Sequence, residues 1–154
     1  MAAFLFANPC IAAELPVVGD APPAIALPNL NGSNINLSDF YGKPVILTFF
    51  ASWSKSCQEE LRSLQELSLL YRPSLEVVAI SFDKKLAPLK EYISGQKLSL
   101  NFLIDKKLAT LNKYAILIIP TTIAVGKDGK IKSIFVDYDD NVKKSLEDFV
   151  RGEM

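Results

Sequence analysis

Two apolar runs, residues 44–51 (Pro-Val-Ile-Leu-Thr-Phe-Phe-Ala) and 75–82 (Leu-Glu-Val-Val-Ala-Ile-Ser-Phe), bracket a stretch of helical periodicity and constrain the fold more than any other feature. Runs this apolar, rich in β-branched and aromatic residues, fit strands buried on both faces at the centre of a sheet. Between them, residues 54–71 carry Leu61, Leu64, Leu67 and Leu70 with charges interspersed, which is the pattern of an amphipathic helix. Strand, helix and strand in that order imply parallel strands joined by a right-handed crossover.

The flanking segments fill out an α/β architecture. Residues 14–23 are proline-rich and read as an extended lead-in. Residues 24–28 and 35–37 read as short strands around the turn signal Asn29-Leu30-Asn31-Gly32, and 38–42 as one helical turn. After the second long strand, the pattern predicts helix over 83–93, strand over 101–104 and helix over 106–114. Strands over 120–125 and 131–135 follow, joined by Gly126-Lys127-Asp128-Gly129, a hairpin signal. A last helix begins at Asn141, which can cap it, with Val142, Leu146, Phe149 and Val150 on one face. The expected product is a mixed central sheet flanked by helices, with an N-terminal β-hairpin extension.

Composition narrows the function classes. Lysine plus arginine equal aspartate plus glutamate at 17 each, so charge gives no reason to expect nucleic acid as partner. Histidine is absent, which removes the usual general base and the commonest metal ligand. With two cysteines at unrelated positions, no metal site and no cofactor are expected. Residues 1–13 are nearly all small or apolar, ending in Ala12-Ala13, like the close of a secretory signal peptide. Lacking a basic start and interrupted by Asn8-Pro9, the stretch reads as a signal-peptide remnant or as an apolar tail. Cys10 is then lost with it or idle. Residues 14–154 read as a single domain.

Chemistry is expected where the first buried strand runs into its helix, at Ala51-Ser52-Trp53-Ser54-Lys55-Ser56-Cys57-Gln58-Glu59-Glu60. A thiol in the first helical turn feels the macrodipole and unpaired amides, which favour thiolate, and Lys55 adds positive charge. Cys57 is therefore a candidate nucleophile, or else a buried small hydrophobe. Ser54 and Ser56 both suit a helix N-cap, and Ser56 with Glu59 fits a capping box. Glu60 reads on its own as a solvated first-turn carboxylate.

The segment Phe49-Phe50-Ala51-Ser52-Trp53-Ser54-Lys55-Ser56-Cys57 resembles the Phe-Trp-Ala-Ser-Trp-Cys-x-x-Cys signature of thioredoxin-fold thiol-disulfide oxidoreductases. It is closest to the TlpA/ResA-like branch, which is related to the redoxins and AhpC/TSA proteins. Three further pieces agree in order: Gly19-Asp20-Ala21-Pro22 through Leu37-Ser38-Asp39, Ile119-Pro120-Thr121-Thr122, and Lys127-Asp128-Gly129-Lys130-Ile131. The resemblance implies a thioredoxin-like three-layer sandwich. It places the attacking cysteine's position on Ser54, the resolving cysteine on Cys57, a proton-handling carboxylate on Glu60 and the substrate-side cis-proline on Pro120. Trp53, Lys55, Ser56, Ile119 and Thr121 fall at the substrate-binding rim. Two departures stand out: Thr48 where thioredoxins proper place a buried acid, and Arg62 where a proline often kinks the helix.

The family's reaction implies a protein thiol or disulfide as substrate or redox partner, a monomer, and a periplasmic or otherwise extracytoplasmic setting. Ser54 alters that reading. Exchange needs one thiolate to attack and a second thiol to resolve, and a serine hydroxyl without histidine is a far poorer nucleophile. The two-thiol cycle is therefore impaired unless Cys57 works alone or a cysteine stands at position 54. The alternatives are a redox-inactive module gripping extended peptides beside Pro120, or a one-cysteine, peroxiredoxin-like peroxidase using Cys57.

Overall fold

The computed structural model describes residues 15–154, so the apolar N-terminal stretch, its export reading and Cys10 lie outside the described residues. The lead-in is pinned to the sheet by Gly19, whose amide donates to the Ile131 carbonyl, and by Ile131, whose amide donates to the Asp20 carbonyl, each at 2.8 Å. Strands β1 (Ala26–Pro28) and β2 (Asn34–Asn36) pair antiparallel as a hairpin. Its turn is held by the Asn29 side chain, which accepts from the Asn31 and Ser33 amides. A 3-10 turn, Leu37–Phe40, leads to the sheet.

The main elements follow in chain order. They are β3 (Val45–Phe50), α1 (Lys55–Tyr71), β4 (Glu76–Ser81), α2 (Leu86–Gly95), β5 (Asn101–Ile104), α3 (Ala109–Lys113), β6 (Thr121–Val125), β7 (Ile131–Val136) and α4 (Asp140–Glu153). The five long strands lie in the order β5-β4-β3-β6-β7, with β3, β4 and β5 parallel and the β6–β7 hairpin antiparallel. This is the mixed sheet expected from the residue pattern, with helices on both sides.

Alternation along β3 divides the core. Val45, Leu47 and Phe49 face one side, where they meet Leu37, Ile25 and Tyr114. Ile46 and Phe50 face the other, against Leu61 and Leu64 of α1, Leu89 of α2 and Leu146 of α4. The period of two along a strand packed on both faces produces this three-layer arrangement.

Three boundaries and one helix face differ from expectation, each for a local reason. Helix α2 starts at Leu86 rather than at residue 83, because the Asp83 carboxylate is engaged by Ser52 and Ser81 at the strand exit. Helix α3 is only five residues long, since Leu108 adopts a left-handed φ of 56° and the helix starts after it. Asp139, not Asn141, caps α4, accepting from the Val142 amide at 2.8 Å. Leu70 is 73% exposed although it continues the leucine series. Each step of three residues turns a helix by about 300°, so by the third step the series has drifted to the opposite face.

Phe49 is fully buried, stacked near Phe82 and tilted against Tyr114, with ring centroids 5.9 and 4.9 Å away. Phe49→Ala should lower unfolding stability by about 3–5 kcal/mol, read as a shifted urea midpoint at unchanged m-value.

Candidate functional site

The β3–α1 junction is built by three constraints. Strand β3 ends at Phe50, and its register with β4 (Phe50 opposite Ser81) brings the two strand exits together. There Asp83, itself buried, accepts from the Ser52 amide at 2.9 Å, the Ser52 hydroxyl at 2.6 Å and the Ser81 hydroxyl at 2.7 Å. Gln58 closes the loop from the helix side, its amide donating to the Ser52 carbonyl at 2.7 Å. A buried carboxylate gathering several donors fixes the loop conformation.

Helix α1 then begins with Ser54 as its N-cap, whose hydroxyl accepts from the Cys57 amide at 3.4 Å. The capping box expected of Ser56 and Glu59 does not form. Ser56 instead donates across to Asp137 at 2.8 Å, at the exit of β7. Asp137 has a left-handed φ of 68°, and its own amide donates to the Pro120 carbonyl at 2.8 Å. The peptide bond between Ile119 and Pro120 is cis. Ser56, Asp137 and Pro120 thus form a hydrogen-bonded strap across the helix N-terminus. Thr121, next in line, donates to the Ile118 carbonyl at 2.6 Å. The Ser56 and Tyr138 donors hold the Asp137 carboxyl below its usual range.

Cys57 is completely buried beneath Ser54. The helix N-terminus and Lys55 would favour thiolate, yet the thiol is pushed up rather than down. Burial is the first cause and outweighs the lowering contributions of Ser54 and the Ala51 backbone, while negative charge on Glu60 and Asp83 adds the smallest upward push. The Lys55 ammonium is of little help, because its side chain is 89% exposed and reaches only toward Glu59, at 4.0 Å. Solvent screens so exposed a charge.

Glu60 is the largest departure from the residue-by-residue expectation. It is fully buried, not solvated. The β3–β6 register sets Thr48 opposite Thr122 on the face that α1 covers, and Glu60, two positions before Arg62, drops between them. Glu60 Oε2 lies 2.7 Å from the Thr48 hydroxyl, Oε1 lies 2.5 Å from the Thr122 hydroxyl, and the two hydroxyls are 3.0 Å apart. Three contacts need three protons, and the two threonines supply two. The ring closes when Glu60 is protonated: it donates to Thr122, Thr122 to Thr48, and Thr48 back to Glu60. Burial pushes the Glu60 carboxyl up to about 7, with the Asp137 charge contributing and the two threonine hydrogen bonds opposing.

Around this centre, Trp53 is 75% exposed, Leu117 94% and Ile118 50%, while Ile119 is half-buried and Pro120 buried. Trp53, Ser54, Ser56, Cys57 and Glu60 are thereby gathered on one loop and helix end, and the Ser56–Asp137–Pro120 strap joins them to Ile119 and Thr121. Sequence reasoning passed over Ser52, Asp83 and Asp137. Only the serine and aspartate at the two strand exits hinted at them. Among the described residues, no group of three or more histidine, cysteine, aspartate or glutamate side chains is placed to hold a metal ion.

The ring carries a pH signature. Glu60 keeps, in the folded chain, a proton that the unfolded chain releases between its ordinary value of 4.5 and about 7. Stability should therefore fall as pH rises through that window, by about 3 kcal/mol in all. Glu60→Gln, which keeps the shape without the charge, should flatten the profile and be the more stable form at pH 8, measured by urea unfolding across pH.

Comparison with known proteins agrees with this geometry. Residues 18–134, well over half the chain, match the AhpC/TSA family. The chain is 29% identical to the thiol-disulfide oxidoreductase ResA of Bacillus thuringiensis subsp. konkukian, over 87% of this chain and 77% of that protein. It is 32% identical to the thioredoxin-like protein YneN of Bacillus subtilis, over 77% and 71%. Its fold superposes with a TM-score of 0.83 and 26% identity on a Chlorobium tepidum protein assigned as the thiol:disulfide interchange protein DsbE, covering 90% of this chain and 98% of that one. On these grounds the chain belongs to the AhpC/TSA family, among its thioredoxin-like relatives of the thiol-disulfide oxidoreductase kind.

Proposed function

We propose that this protein engages protein thiols or disulfides at the rim formed by Trp53, Lys55, Ser56 and Ile119 above the buried Pro120 and Thr121, and that Ser54 deprives it of the two-thiol exchange cycle. The observation carrying this reading is the complete burial of Cys57 beneath the Ser54 cap, with its thiol pushed up. A group in the resolving position has no access to an incoming disulfide and little thiolate with which to attack one. Glu60, whose carboxyl burial pushes up to about 7, is suited to give or take a proton at the thiol once a partner cysteine is available. An extracytoplasmic setting fits this reading and rests on the apolar residues 1–13. Among the described residues, no helix is long and apolar enough to cross a membrane.

A second reading has its own support. The exposed Trp53, Leu117 and Ile118 beside Pro120 suit a module that grips extended peptide without redox chemistry. A one-cysteine peroxidase ranks below both, because peroxide would have to reach a fully buried thiol.

Insulin-disulfide reduction in a defined glutathione buffer tests the proposal. The unmodified chain should show no turnover above the glutathione background, and Ser54→Cys should exceed that background at least about a hundredfold. Turnover by the unmodified chain would sink both the impaired-exchange and the binding-module readings. A Ser54→Cys form that stays inactive while folded would favour the binding module.

A further inference from the structure

We propose that the exits of β4 and β5 form a docking surface for an acidic peptide segment with an apolar anchor, carried by a partner protein. The observation is a duplication: residues 83–87 and 105–109 both read Asp-Lys-Lys-Leu-Ala. Because β4 and β5 are parallel neighbours with Ser81 opposite Ile104, the two copies leave the sheet side by side at the same end.

Each copy treats its residues alike. The aspartates turn inward and are consumed by the protein: Asp83 by Ser52 and Ser81, and Asp105 by the Ala109 amide and the amide and hydroxyl of Thr110. The lysines turn outward. Lys84, Lys85, Lys106 and Lys107 are all exposed, and among the described residues none of the four forms an ion pair. The chain has equal numbers of acidic and basic residues, so this is a local segregation of charge and not a general excess. The two buried aspartates offset part of the field, but they offer the lysines no direct partner.

Beside the second pair of lysines lies a cavity of about 610 Å³, walled by Leu27 and Leu30 of the hairpin, Leu86 at the start of α2 and Ile104 of β5, with Lys106, Lys107 and the already hydrogen-bonded Asp105 on its edge. An apolar recess rimmed by cations desolvates one aliphatic or aromatic anchor while neighbouring carboxylates pair with the rim. The apolar part is recessed between hairpin and strand exits, which suits a side-chain anchor better than a bilayer surface. Asp83 ties this corner to Ser52, so a segment docked here sits at the same end of the sheet as the Trp53–Cys57 turn. The proposal stands on charge and shape, and holds whether or not Cys57 reacts.

The test is a titration of the isotope-labelled full chain, followed by amide chemical shifts. The probe is the peptide acetyl-Asp-Glu-Phe-Asp-Glu-amide, compared with its Phe-to-Ala counterpart. Shifts should gather at Leu27, Leu30, Leu86 and Ile104. Affinity should weaken with added salt and fall at least about tenfold in the Lys106→Glu/Lys107→Glu double variant, whose fold is checked by circular dichroism. Four outcomes would overturn the proposal: shifts centred on Trp53 and Ile119, affinity unchanged by charge reversal, equal binding of the alanine peptide, or no peptide binding alongside capture by phosphatidylserine vesicles. None of these readouts involves thiol turnover, so failure here is distinct from failure of the redox reading.

Discussion

Strand β3 is hydrogen-bonded along both edges and buried on both faces, with every one of its residues, Val45 through Phe50, withdrawn from solvent. Such a strand cannot slip by one residue without turning Thr48 into the wrong layer and the large side chains on either side of it into occupied space. Its end point is therefore set by packing, and with it the place where α1 begins. The loop that follows must satisfy its polar groups at once, and Asp83 does so from the neighbouring strand exit. The N-terminus of α1, with Ser54 above and Cys57 below, inherits its position from this sequence of constraints.

Burial then sets the chemistry of the two ionisable groups beneath that N-terminus. Cys57 and Glu60 both lie out of water, and both are pushed toward their neutral forms. The two threonines oppose this for Glu60 by donating to the charged carboxylate, but burial prevails, and a complete three-membered ring requires the extra proton. The helix macrodipole, which alone would favour thiolate, is outweighed by desolvation. The resulting centre is poised around neutral species, under a surface in which exposed tryptophan, leucine and isoleucine side chains surround a buried proline. The lysines of the two Asp-Lys-Lys-Leu-Ala copies stay exposed where β4 and β5 end, while their aspartates are buried.

Much of the architecture was legible in the order and period of apolar residues. Strands β3, β4 and β5, helix α1 and the β6–β7 hairpin follow from runs and alternations that depend only on near neighbours. Element ends were less legible, because they depend on who takes the capping or terminal hydrogen bonds. Asp139 supplanted Asn141 at α4, and Asp83 was drawn into the site instead of starting α2. The leucine series of α1 shows the same limit in another form, since Leu70 obeys the spacing yet faces solvent.

At the site, the residue types and their order identified the Ser54-Lys55-Ser56-Cys57 turn and the paired Ile119-Pro120 segment, because strand-to-helix junctions and proline-bearing turns are written locally. What surrounds them was decided by tertiary structure. Whether Glu60 is a solvated carboxylate or a buried proton holder depends on two threonines from different strands, and whether Ser56 caps its own helix or straps to Asp137 depends on a residue 81 positions away. Local sequence determines which groups can ionise or donate. Only the packing of distant segments determines which of them lose water and which partners they meet, and that loss and those partners set their chemistry.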